Sequence, residues 1–101
     1  MAKRKVIWTI GANRERKEIL TYWIERTKSK RYSFKLNILI NKAIELASEF
    51  PESGRKTNTN NTRVKIVKDY LIFYDFTQFE IIILSIWDAN RNDKESAFNY
   101  T

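Results

Sequence analysis

The 101-residue chain has no histidine and no cysteine. Disulfides, thiolate nucleophiles, Cys-ligated zinc and a Ser-His-Asp triad are therefore excluded, and the usual neutral-pH proton carrier is missing. Any chemistry must come from Lys, Arg, Tyr, Asp or Glu. Two pairs have suggestive spacing. Arg63 and Lys65 alternate with Val64 and Ile66, so two cations share one side of an extended segment, and Asp88 and Arg91 follow the last apolar run. Taken singly, each has a plainer reading. A solvated strand face carries such cations, and an Asp–Arg pair at the surface contributes little to stability.

The charge as a whole says more. Lys and Arg number 19 against 12 Asp and Glu, a net +7. Residues 1–35 hold 11 basic and 3 acidic side chains, 36–68 hold 6 and 3, and 69–101 hold 2 and 6. A gradient of this kind suits a polyanionic partner. No apolar run reaches the length of a membrane span, and no signal-peptide core follows the basic start. The expectation is a cytoplasmic protein with no membrane contact.

These side chains need a scaffold, and the hydrophobic pattern supplies one. At 43% hydrophobic and 14% aromatic, the composition supports a single compact domain over residues 1–101. Val6 to Ile10 is β-branched and aromatic and reads as a short strand. Asn13 offers an N-cap for a first helix, with Ile19, Leu20, Trp23, Ile24 and Thr27 on one stripe. The pattern breaks at Ser29-Lys30. A second helix runs from about Tyr32 to Glu49, its stripe formed by Tyr32, Leu36, Leu39, Ile40, Ala43, Leu46, Ala47 and Phe50. Phe34 and Ile38 fall on the opposite side.

Pro51 and Gly54 end that helix, and Glu52 to Asn61 reads as an exposed, mobile loop. From Thr62 the period becomes two, with Val64 and Ile66 inward and Arg63 and Lys65 wet. A turn at Lys68-Asp69 leads to strands over Tyr70–Phe76 and Phe79–Trp87, and a polar tail begins at about Asp88. The fold class is α+β, in the order β-α-α-β-β-β, with two antiparallel helices on one face of an antiparallel sheet. The first strand joins at the edge or in the middle.

The third and fourth strands are apolar on both faces. Leu71 to Tyr74 and Ile81 to Leu84 do not alternate. Two helices cover one face, and leaving the other wet would forgo about 1.5–3 kcal/mol per large side chain. Either a partner covers it or the tail folds back as a lid.

Taken together, these segments resemble the RelE/ParE superfamily of toxins from type II toxin–antitoxin systems. The resemblance rests on Val6-Ile7-Trp8-Thr9 with Ala12, then Phe50-Pro51-Glu52-Ser53-Gly54 and Arg63-Val64-Lys65-Ile66-Val67. It continues through Tyr70 to Tyr74, Ile81 to Ile86 and Arg91. It implies a toxin held inactive by a cognate antitoxin, which would use Ile72, Tyr74, Ile83 and Trp87. RelE-like members cut mRNA on the ribosome, and ParE-like members poison DNA gyrase without catalysis.

The mRNA endonuclease is the first expectation. By resemblance, Arg63, Arg91 and Tyr100 are its catalytic residues and Arg55, Lys56 and Lys65 bind RNA, with no cofactor and no metal. The chain departs from the pattern at two points. Trp87-Asp88 stands where many relatives carry a His, and Tyr100 lies farther beyond Arg91 than usual. The alternative expectation is a gyrase inhibitor, and a generic nucleic-acid-binding domain is the third.

Overall fold

A computed structural model describes residues 3–59 and 61–90. Strand β1 (Lys5–Trp8) runs directly into helix α1 (Ile10–Thr27), and a short link leads to α2 (Arg31–Glu49). A 3-10 turn over Pro51–Ser53 precedes β2 (Arg55–Lys56), β3 (Arg63–Val67), β4 (Tyr70–Phe76) and β5 (Glu80–Asp88). The sheet order is β1-β5-β4-β3-β2. The last four strands form an antiparallel meander, while β1 lies parallel to β5 at one edge.

The α+β class and the two-helix layer agree with the sequence. Three details differ. The sheet is mixed, because the helical hairpin after β1 returns the chain so that β5 ends up alongside β1 in the same direction. An additional two-residue strand, β2, lies within the segment read as a mobile loop, paired Arg55 to Val64 and Lys56 to Arg63. Helix α1 is capped by Thr9, not Asn13: the Thr9 hydroxyl accepts the Ala12 N–H at 3.1 Å, while Asn13 Oδ1 accepts from Arg16 at 2.7 Å. Thr9 is an equally suitable cap and stands where the strand ends, so the helix starts one turn early.

The main core lies between the helices and one sheet face. It contains Ala12, Leu36, Ile40, Ile44 and Ala47 from the helices, and Val67, Tyr70, Ile72, Tyr74, Ile81, Ile83 and Ile86 from the sheet. The inward stripe of α2 is rotated slightly from the expected one: Ile44 is buried, whereas Leu46 and Phe50 are about half exposed. The tip of the helical hairpin is locked by aromatic contacts. Trp23 meets Tyr32 edge-on at 4.8 Å and donates its indole N–H to the Tyr70 hydroxyl at 2.7 Å.

The second sheet face carries its own cluster of Val64, Leu71 and Phe73, with Leu84 and Trp87 packed against it. The expectation of apolar side chains on both faces holds, but these three are buried rather than wet. Trp87 stands edge-on to Phe73 at 5.2 Å. The tail read as a lid from about Asp88 begins with the end of β5, and its residues beyond 90 lie outside the described residues. Ile66 remains half exposed on this face.

An irregularity between Phe73 and Tyr74 shifts the β4–β5 register, so that Phe73 opposes Ser85 while Tyr74 opposes Ile83. Such a bulge leaves ladder groups unpaired. The start of α1 supplies partners. The Thr9 N–H and hydroxyl both donate to the Ile83 carbonyl, and Glu15 Oε1 accepts from Ser85 Oγ at 2.9 Å and from the Ile86 N–H at 3.0 Å.

Candidate functional site

Cross-strand partners share a sheet face, so the register decides where the candidate cations stand. Arg63 opposes Tyr74, and Lys65 opposes Ile72. Both cations are therefore on the helix-bearing face, not on a solvated one, and Val64 and Ile66 face the second cluster. Lys56, opposite Arg63, joins them, whereas Arg55 pairs with Val64 and belongs to the other face. The expected RNA-binding set is thus divided between two sides of the sheet. Lys56 and Arg55 are exposed; Arg63 and Lys65 are partly buried, and burial holds the Lys65 ammonium below its ordinary value.

Arg63 has a specific task. Its Nη1 donates to the carbonyl of Gly54 at 3.0 Å and to that of Glu52 at 3.2 Å. Tyr74 reaches the same turn from inside. Its hydroxyl donates to the Pro51 carbonyl at 2.6 Å and accepts the Gly54 N–H at 3.1 Å. The 3-10 turn is thus held by a phenol beneath and a guanidinium beside it. Four backbone groups that would otherwise lie unpaired at a chain reversal are satisfied.

Gly54 is required for close approach. A Cβ there would run into the Tyr74 hydroxyl and sit 3.0 Å from the Val64 carbonyl. The Tyr74 phenol is held above its ordinary value, chiefly by burial, against opposing contributions from the Gly54 N–H, the Arg63 charge and Ser53. Nearby, Thr62 donates a short hydrogen bond to Asp75 Oδ1, and the Thr57 hydroxyl reaches the Thr62 carbonyl at 3.0 Å. The motif Phe50-Pro51-Glu52-Ser53-Gly54, Arg63 and Tyr74 therefore form one structural corner.

The expected antitoxin contacts divide in a similar way. Ile72, Tyr74 and Ile83 are at most 1% exposed and belong to the main core. They are unavailable to a partner in the folded protein, because β4 and β5 present these positions to the helices. Trp87 lies on the opposite face, partly exposed. Arg91 and Tyr100, expected to be catalytic, lie outside the described residues. Glu15 was missed altogether, since nothing in its spacing signals that it holds a bulge 70 residues away.

A second basic region lies at the hairpin tip. Arg26, Lys28, Lys30, Arg31 and Lys35 are all exposed. Among the described residues, none of the five enters an ion pair. Thr27, Ser29, Arg31, Tyr32 and Lys35 line a shallow depression of about 420 Å³. The sequence contains no acidic residue between Glu25 and Glu45. No described helix is long and apolar enough to cross a membrane.

The family model described as the ParE toxin of the type II toxin–antitoxin system parDE matches residues 6–93. A solved structure, described as the chromosomal ParDE toxin–antitoxin system from P. aeruginosa, superposes with a TM-score of 0.74. It shares 15% sequence identity and covers 87% of this chain and 98% of its own. At that identity the likeness speaks for the fold. No curated protein sequence matches.

Proposed function

The chain belongs to the ParE toxin family of type II toxin–antitoxin systems, and from that premise we propose that it arrests growth by binding DNA gyrase rather than by cutting mRNA. A toxin of this class has a cognate antitoxin as its partner. The observation that carries the reading is the use made of Arg63 and Tyr74. A ribonuclease needs a cation free to meet a phosphate as it becomes pentavalent, and a group able to carry its proton. Here the Arg63 guanidinium is engaged by two carbonyls of the Pro51–Gly54 turn, and the Tyr74 phenol is buried beneath it. Both hold the fold.

The endonuclease reading keeps one specific support: Lys56, Arg63 and Lys65 share one sheet face. The decisive experiment uses the purified toxin in two assays. Gyrase, plasmid and ATP should yield loss of supercoiling and accumulation of cleaved DNA, while mRNA on translating ribosomes should stay whole. Codon-position cuts that vanish in Arg63→Ala, with gyrase unaffected, would establish the nuclease instead.

A further inference from the structure

Basic side chains are common on helices, and most sit near an acid that tempers them. The hairpin tip is different. From Arg26 to Ile44 the chain carries six cations and no anion, and the five nearest the tip have no ion-pair partner among the described residues. Lys30 and Arg31 also stand at the start of α2, whose first turn has no acidic residue. Helix polarity disfavours cations at that end. The fold thus tolerates a local electrostatic conflict that substitution by neutral residues would relieve, and it does so on a rigid support. Trp23, Tyr32 and Tyr70 fix the link between the helices, Ser33 Oγ donates to the Leu20 carbonyl, and Ser29 Oγ accepts the Arg31 N–H.

We propose that this hairpin tip binds the phosphate backbone of duplex DNA, through Lys30, Arg31 and Lys35 with Arg26 and Lys28 at the rim. Arg31 and Lys35 are one helical turn apart, on the same side of α2 and on the edge of the depression. Their fixed spacing suits a repeating row of phosphates, which is read by charge alone and not by base edges. Single-stranded nucleic acid fits less well. It is held by cations together with open aromatic platforms, and here Trp23 and Tyr32 pack on each other while Tyr22 stands edge-on to Trp23. Tyr22 on α1 and Phe34 on α2 are the well-exposed rings of the hairpin, and among the described residues no ring contact joins them into one platform.

This inference rests on the gyrase reading for the source of the duplex, the DNA that the enzyme holds. The contact itself is measured without gyrase. Binding of the purified toxin to a labelled 20-base-pair duplex would be followed by fluorescence anisotropy across a salt series. The triple variant Lys30→Ala, Arg31→Ala, Lys35→Ala should bind at least tenfold more weakly at low salt. The slope of log affinity against log salt should flatten by about 2.7, that is about 0.9 for each of three phosphate contacts. A control triple, Lys5→Ala, Lys17→Ala, Lys42→Ala, should change affinity far less.

Three results would overturn the inference: no duplex binding by the unaltered toxin, equal losses in both triples, or preference for a single strand that Tyr22→Ala or Phe34→Ala abolishes. Gyrase poisoning that survives without duplex binding would sink this inference and leave the proposed function standing. Duplex binding without any effect on gyrase would do the reverse.

Discussion

Two clusters of cations, one at the β2–β3 corner and one at the tip of the helical hairpin, are built from the same residue types and have opposite uses. At the corner, Arg63 donates to two backbone carbonyls and stands beside the buried phenol of Tyr74. At the tip, five exposed cations have no ion-pair partner among the described residues. A positive charge becomes structural when the chain's own carbonyls take up its N–H groups. It stays available to a partner when no such acceptor lies within reach. Composition does not distinguish the two cases, because both read as Lys and Arg in a basic chain.

The contrast can be broken most easily at Tyr74. Replacement by Ala empties a fully buried site and orphans the Pro51 carbonyl and Gly54 N–H. A loss of about 3–5 kcal/mol is expected, read from urea unfolding. Arg63→Ala should follow, with about 1–2 kcal/mol for the loss of two charge-assisted bonds at a partly exposed position. If that variant is as stable as the parent yet has lost its effect on gyrase, Arg63 acts on a partner and the corner is not merely structural.

Alkaline pH probes the same corner more gently. Tyr74 titrates higher in the folded state than its ordinary value near 10. Its contribution is therefore complete below about pH 10 and is lost as pH rises through the folded-state value. Melting temperature should fall above that pH, and Tyr74→Phe should blunt the fall, with Tyr70 supplying what remains because its phenol is also raised by burial. The smallest effect belongs to the hairpin. Lys30→Ala, Arg31→Ala, Lys35→Ala should alter stability by no more than about 0.5 kcal/mol, since these side chains are exposed and make no ion pair among the described residues. A large loss would show that the tip, like the corner, uses its cations to fold.

Much of the scaffold was legible beforehand, for reasons that differ by element. Helix α2 carries a regular apolar stripe, so Leu36, Ile40 and Ala47 were placed correctly. Helix α1 starts at a different residue because Thr9 and Asn13 are both good caps, and only the meeting of β1 with β5 decides between them. Strand β2 escaped notice because two polar residues have no periodicity. The antitoxin set went astray at Ile72, Tyr74 and Ile83 because β4 and β5 are apolar on both faces. A strand without alternation does not say which side faces the helices.

What the residues alone determined is the order of elements, the two-layer α+β arrangement, the basic first third and the absence of thiol and imidazole chemistry. Each follows from local periodicity or from counting. The tertiary structure decided which face each strand residue occupies, and hence that Arg63 braces a turn. It also decided that Glu15 closes a bulge and that the hairpin cations have no ion-pair partner among the described residues. These outcomes depend on register and on contacts between residues far apart in the chain. A shift of one position along a strand would reverse every face assignment without changing a single amino acid.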